Sequence, residues 1–150
     1  MCRRQYSAFD GKGARLAGGR WNHRGTPVVY TSATLSLAAL EYFVNLDPGA
    51  MPDDLVAVPA DLPESAIEQL ERVPGFRLPR GWRAYPAPAA LADLGTAWVQ
   101  AARRAALSVP SAVIPVERNY LINPVHPQSH QIRVGKAEAF SLDPRMWKYR

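Results

Sequence analysis

Cysteine is nearly absent from this chain of 150 residues, where Cys2 is the only one. A single thiol excludes an internal disulfide framework and any multi-cysteine zinc site. Long apolar runs are missing too. No stretch approaches the ~20 apolar residues that span a bilayer. The longest candidate, Leu37 to Leu46, is interrupted by Glu41 and Asn45. Basic Met1-Cys2-Arg3-Arg4 leads into Asp10-Gly11-Lys12-Gly13, where a signal peptide would need its apolar stretch. Export and membrane association are therefore not expected, and a cytoplasmic location is. Histidine is scarce: His23, His126 and His130 are the whole set, and no carboxylate cluster accompanies them. A metal site is not expected.

What is present describes a folded domain. Hydrophobic residues make up 47% and charged residues 21% of the chain, a balance that supports a buried core. Lysine and arginine (18) exceed aspartate and glutamate (13), for a net charge of +5, which favours anionic partners. Eight of these cations fall in the first 24 residues or at the very end, as Arg3, Arg4, Lys12, Arg15, Arg20, Arg24, Lys148 and Arg150. They form no solid basic block and alternate with no aromatic platform, so a solvated positive surface is favoured over nucleic-acid binding.

There is no internal repeat or linker, and residues 1–150 read as one domain. Fourteen prolines predict short strands and loops with few long helices. Gly11, Gly13, Gly18 and Gly19 predict an irregular, closely turning N-terminal segment. Val28 to Thr31 reads as a strand. Leu35 to Leu46 reads as a helix capped by Ser32 or Thr34, with Leu37, Leu40 and Val44 as its buried stripe and Asp47-Pro48-Gly49 as its end. Leu55 to Val58 is a second strand. A short helix is predicted from Pro63 to Leu70, with Asp61 as its cap and Ile67 and Leu70 facing inward. Pro79 to Pro88 reads as a surface crossing, and Leu91 to Arg104 as a helix despite Gly95. Strand-like runs follow at Ala106–Val109, Ala112–Ile114, Tyr120–Ile122, Gln131–Val134 and Ala139–Leu142. Late strands this close together cannot all be parallel, because a crossover needs about a dozen residues. The fold class expected is α+β, with a mixed, largely antiparallel sheet.

The most informative stretch is Gly18-Gly19-Arg20-Trp21-Asn22. Two glycines allow close backbone approach to a ligand, and Arg20 offers a planar fork of donors suited to phosphate oxygens. A tight turn with a surface arginine and a core tryptophan explains the same residues equally well. It is neither a Walker loop nor a GxGxxG element, since no strand precedes it and no Lys-Ser/Thr follows. Glu41 falls at the edge of a helix's buried stripe, half-exposed or aimed into a cleft. Tyr30 suits either the core or a pocket wall. Ser111 lies in no GxSxG elbow and has no identifiable His and Asp partners, which disfavours an acyl-serine hydrolase. Asn119 and Asn123 bracket a short apolar strand.

These segments together resemble the RES domain, a bacterial family named for its Arg, Glu and Ser. The resemblance runs through Gly11 to Arg15, Gly18 to Asn22, Gly25 to Ser32, Leu37 to Glu41, Leu94 to Trp98, Val109 to Val113, Asn119 to Pro127 and Leu142 to Arg145. Arg20, Glu41 and Ser111 match the name-giving trio. The resemblance implies an ADP-ribosyltransferase-like fold and a toxin of a type II toxin–antitoxin pair. The partner it implies is an Xre-type helix-turn-helix antitoxin, through which DNA would be reached. It also implies an enzyme that consumes NAD as substrate, without a cofactor, by hydrolysis or by phosphorolysis with inorganic phosphate. Some members modify a protein, so ADP-ribosyl transfer to a host protein is the alternative; a non-enzymatic nucleic-acid-binding module ranks last. On this resemblance Glu41 would stabilise an oxocarbenium-like ribose and Arg20 would bind pyrophosphate or an attacking phosphate. Tyr30 would pack on the nicotinamide end, and Ser111 would orient the carboxamide or a ribose hydroxyl. Trp21, Asn119 and Asn123 would be supporting walls. Family members commonly begin with a strand carrying a further arginine. Here that strand is cut short at Met1, so either the start is a late one or Arg3 or Arg4 would serve instead.

Overall fold

A computed structural model of the chain describes residues 1–7, 9–47 and 51–147. The chain passes through β1 (Cys2–Arg3), α1 (Lys12–Ala17), β2 (Val29–Ser32), α2 (Leu35–Val44), β3 (Leu55–Ala57), β4 (Ala60–Asp61) and β5 (Ile67–Gln69). It continues through α3 (Ala89–Ala101), β6 (Ala106–Pro110), β7 (Arg118–Ile122), β8 (Arg133–Val134) and β9 (Glu138–Ala139). The principal sheet has the order β2-β7-β6-β5, antiparallel except for the parallel pair β5–β6. Helix α3 lies in the long connection that this parallel pair needs. A smaller antiparallel sheet runs β1-β3-β9, and β4 pairs with β8. The molecule is a single small α+β domain with mixed, mostly antiparallel sheets, as the strand spacing predicts.

Strand β6 is buried along its whole length, as a strand with neighbours on both edges and cover on both faces must be. Its Leu107 and Val109 join Trp21, Val28, Leu70, Leu91, Trp98, Val99 and Leu121 in one cluster beneath α3. Ala106 joins a second cluster with Ala66, Ala105, Ile122 and Ile132. Apolar area removed from water stabilises such clusters by about 25 cal/mol per Å².

Several elements depart from the sequence expectations for identifiable reasons. The glycine-rich start holds a helix, α1, with Gly13 inside it and Gly11 and Gly18 at its ends. Gly11 caps it at φ 69° and Gly18 closes it at φ 74°, conformations a side chain disfavours. The helix expected over 63–70 is instead a 3-10 turn (Glu64–Ala66) and strand β5, whose backbone pairs with β6. Leu70 is buried as expected, whereas Ile67 is only half-buried. Ala112 to Ile114 is not a strand but the turn joining β6 to β7, where Ser111 Oγ accepts the N–H groups of Val113 (3.1 Å) and Ile114 (3.0 Å). Gln131 ends a 3-10 turn, which leaves only Arg133–Val134 extended there. Thr34 is the cap of α2, accepting from Leu37 N at 3.1 Å. In the stripe of α2, Leu37 is buried and Leu40 half-buried, but Val44 is exposed. The proposed closure of α2 at Pro48-Gly49 lies outside the described residues.

Candidate active site

Leu37 anchors α2 in the protein interior and is 2% exposed. Glu41 lies one helical turn further on the same side, so the anchor carries its carboxylate over the end of the sheet. There two donors converge on a single oxygen. Ser111 Oγ donates to Glu41 Oε1 at 2.7 Å, and Asn119 Nδ2 donates to the same atom at 2.6 Å. Both come from the β6–β7 hairpin, Ser111 just past the end of β6 and Asn119 within β7. Asn119 is held in turn by its cross-strand partner Ser32, whose Oγ donates to Asn119 Oδ1 at 2.8 Å. No described residue donates to Glu41 Oε2. The carboxylate is thus fixed through one oxygen and leaves the other for a ligand.

Glu41 borders a cavity of about 850 Å³, within the size range of small-molecule sites. Among the described residues it is the only acidic one that lines the cavity, and Arg20 and Arg83 are the only basic ones. The Gly18–Asn22 turn forms a second wall. Gly19 is obligatory there, since a β-carbon would fall 2.7 Å from Tyr30 Oη and 3.0 Å from Asn22 Oδ1. Through that gap Tyr30 Oη donates to Asn22 Oδ1 (2.7 Å) and accepts from Trp21 N (3.0 Å). Loss of water around this hydroxyl pushes the Tyr30 pKa up to about 12, against the opposing pull of the Trp21 N–H and the Arg20 charge. Asn22 Nδ2 ties the turn together by donating to the carbonyls of Ala14, His23 and Thr26 at 2.9–3.1 Å. The third wall is the segment around 82–87. Arg20 holds it, with Nη1 donating to Trp82 O at 2.6 Å and Nη2 to Ala84 O at 3.3 Å.

Of the residues singled out in the sequence, Arg20, Trp21, Tyr30, Glu41 and Asn119 meet around this cavity. Trp21 does double duty: it is 3% exposed and packs in the core against Phe76, with ring centroids 6.5 Å apart. Ser111 lies behind the wall, fully buried. Its single O–H is spent on Glu41 and its oxygen accepts two backbone N–H groups, so it positions the carboxylate rather than meeting a substrate. Asn123 does not belong to the cavity. It is buried at the end of α3, where Nδ2 donates to Val99 O (3.3 Å) and Oδ1 accepts Val125 N (3.2 Å). Arg3 turns to Asp54 at 2.8 Å, and neither Arg3 nor Arg4 lines the cavity. Arg83, Tyr85 and Asn45 do line it, and the sequence reading passed over all three. The proline-rich crossing that carries Arg83 and Tyr85 looks like any surface loop until Arg20 folds it over the cavity.

The chemistry open to this arrangement is narrow. A carboxylate immobilised by two donors can stabilise developing positive charge and bind a sugar hydroxyl, while the arginines suit an anionic group on the same ligand. No described helix is long and apolar enough to cross a membrane.

Comparison with known proteins points to one family. The model of the RES domain matches residues 1–143. The chain is 39% identical over 145 residues to the "Prs ADP-ribosylating toxin" of Sphingobium sp. strain YBL2, covering 95% of this chain and 90% of that protein. It is 34% identical over 142 residues to "Toxin Res" of Yersinia enterocolitica, covering 93% and 91%. It is 33% identical over 144 residues to "Toxin Res" of Pseudomonas putida, covering 95% and 94%. Nearly complete coverage in both directions, with Arg20, Glu41 and Ser111 gathered at one site, leaves a plain conclusion: the chain belongs to the RES domain family.

Proposed function

We propose that this protein is the toxin of a type II toxin–antitoxin pair and that it consumes NAD by breaking the bond between nicotinamide and ribose. The observation that carries this reading is the Glu41 carboxylate, held through Oε1 with Oε2 open to a ligand, in a cavity whose only other charged lining residues among those described are Arg20 and Arg83. Cleavage of an N-glycosidic bond passes through an oxocarbenium-like centre, as glycoside cleavage does. Oε2 of Glu41 stabilises that charge and binds a ribose hydroxyl. Nicotinamide departs as a neutral molecule, so no strong general acid is required. Tyr30 supports the nicotinamide end with its exposed ring face, and Trp21 and Asn119 complete the wall. Arg20 holds the 82–84 segment that walls the cavity. Water or inorganic phosphate accepts the ADP-ribosyl group. On this reading the fold is of the ADP-ribosyltransferase type, and NAD is a substrate, with no cofactor needed. An Xre-type helix-turn-helix antitoxin covers the cavity and carries the pair's contact with DNA, and the toxin acts in the cytoplasm.

The test is nicotinamide release from NAD by the purified protein. Glu41→Gln keeps the shape and removes the charge, and it should lower turnover by orders of magnitude, as the loss of an electrostatic stabiliser does. Unchanged release in Glu41→Gln refutes the mechanism. With phosphate present, ADP-ribose 1-phosphate marks phosphorolysis and ADP-ribose marks hydrolysis. One observation favours a second reading, transfer of ADP-ribose to a protein: a relative at 39% identity is named an ADP-ribosylating toxin. Adenine-labelled NAD would then leave label on a protein band.

A further inference from the structure

The two arginines of the cavity are not equivalent. Arg20 directs both terminal nitrogens at backbone, Nη1 to Trp82 O at 2.6 Å and Nη2 to Ala84 O at 3.3 Å. Those carbonyls flank residue 83. Arg83 donates only Nε, to Ala112 O at 3.0 Å in the β6–β7 turn, and no described residue accepts from its two Nη groups. Its side chain borders the same cavity as Glu41.

From this division of labour we infer that Arg83 binds the anionic diphosphate of the dinucleotide, and that Arg20 is a positioning residue gripping the chain on either side of it. The inference rests on the NAD reading above and names the residue that reading leaves unassigned. A diphosphate brings two negative charges to the cavity, and its oxygens pair best with a fork of two parallel N–H donors. Arg83 presents that fork free. Anchoring Nε on Ala112 O fixes the guanidinium plane beforehand, so less rotamer freedom is lost on binding. Ala112 lies one residue past Ser111, so the turn that orients Glu41 also orients Arg83. The distance between the ribose-facing and diphosphate-facing groups is then set by one rigid hairpin.

ADP, which carries the diphosphate without the nicotinamide end, separates this role from general damage. Its binding is measured by calorimetry, and that of nicotinamide by ligand-observed NMR titration. Arg83→Gln should weaken ADP at least tenfold and leave nicotinamide within twofold. Arg83→Lys, which keeps the charge and loses the fork, should fall between. Arg20→Ala should weaken ADP too, but in the Arg83→Gln background it should cost little more, because Arg20 acts through Arg83. Equal ADP binding by wild type and Arg83→Gln, or equal losses for ADP and nicotinamide, overturns the assignment, as does a wild-type protein with no affinity for ADP. ADP binding that depends on Arg83 in a protein that leaves NAD intact upholds the anion site and refutes the reaction instead.

Discussion

Gly95 of helix α3 lies against the backbone carbonyl of Trp21 so closely that a β-carbon on it would fall 1.8 Å from that oxygen. A mid-helix glycine costs about 1 kcal/mol relative to alanine, and here the cost is offset by a helix seated directly on the turn that carries Arg20. Two further bonds lock the contact: His23 N donates to Thr96 Oγ1 at 3.0 Å, and His23 Nε2 meets Asp93 Oδ1 at 2.6 Å. Gly95→Ala must therefore push the turn away from α3. Overpacking of this kind costs about 1–3 kcal/mol, roughly 2–4 °C of melting temperature per kcal/mol for a chain of this size. Thermal unfolding should show that loss, and the proposed NAD cleavage should fall further than the remaining folded fraction explains, because Trp21 and Arg20 move together. A melting temperature equal to wild type would show that the turn yields freely.

The hydrogen bonds on Glu41 predict a hierarchy among three polar residues. Ser111→Ala removes a donor to the carboxylate and strips two backbone N–H groups of their acceptor, so it should lower both activity and stability. Asn119→Ala removes only the second donor. Ser32 touches Glu41 only through Asn119, and Ser32→Ala should lower kcat about threefold to tenfold with KM little changed, as the loss of one hydrogen bond does. In an Asn119→Ala background the same substitution should cost nothing further. Additive losses in that double-mutant cycle would mean that Ser32 acts elsewhere.

Much of this site was legible in the sequence, though not from local rules. Residue types alone leave the Gly18–Asn22 turn and Glu41 open between a site and a structural role; the resemblance to the RES domain singles them out, and the fold brings Arg20 and Glu41 to one cavity. The α+β class followed from strand spacing alone. What could not be read depends on contacts distant in the chain. Ile67 and Leu70 keep helical spacing, yet pairing with β6 makes Ile67–Gln69 a strand, and such tertiary pairing outweighs weak local preference. Read from the residues, Ser111 is a hydrogen-bonding turn hydroxyl, and only the family resemblance makes it a substrate contact; its three partners are Glu41 and two N–H groups of its own turn. Asn119 and Asn123 lie at opposite ends of β7, so flanking the same strand does not bring both to the cavity. Arg83 carried no local signal, since its place is set by an arginine 63 residues earlier that holds Trp82 and Ala84.

Alkaline pH offers a test that reads Tyr30 by itself. Burial of its hydroxyl raises the pKa from 10.0 to about 12 in the folded protein. The protonated phenol is needed there, because it donates to Asn22 Oδ1 while accepting Trp21 N. An unfolded tyrosine ionises near pH 10, so the unfolded chain releases this proton first. Folding stability from the group is complete below pH 10 and is lost progressively as pH rises toward 12. Tyr30→Phe should be less stable than wild type at pH 7, since Trp21 N loses its acceptor, but it should lack this part of the alkaline decline. Denaturant unfolding at pH 7, 9 and 11 measures both, and the gap between the two proteins should narrow as pH rises. A gap that stays constant across that range would show that the Tyr30 hydroxyl ionises as readily folded as unfolded, and would remove it as the lock between β2 and the arginine turn.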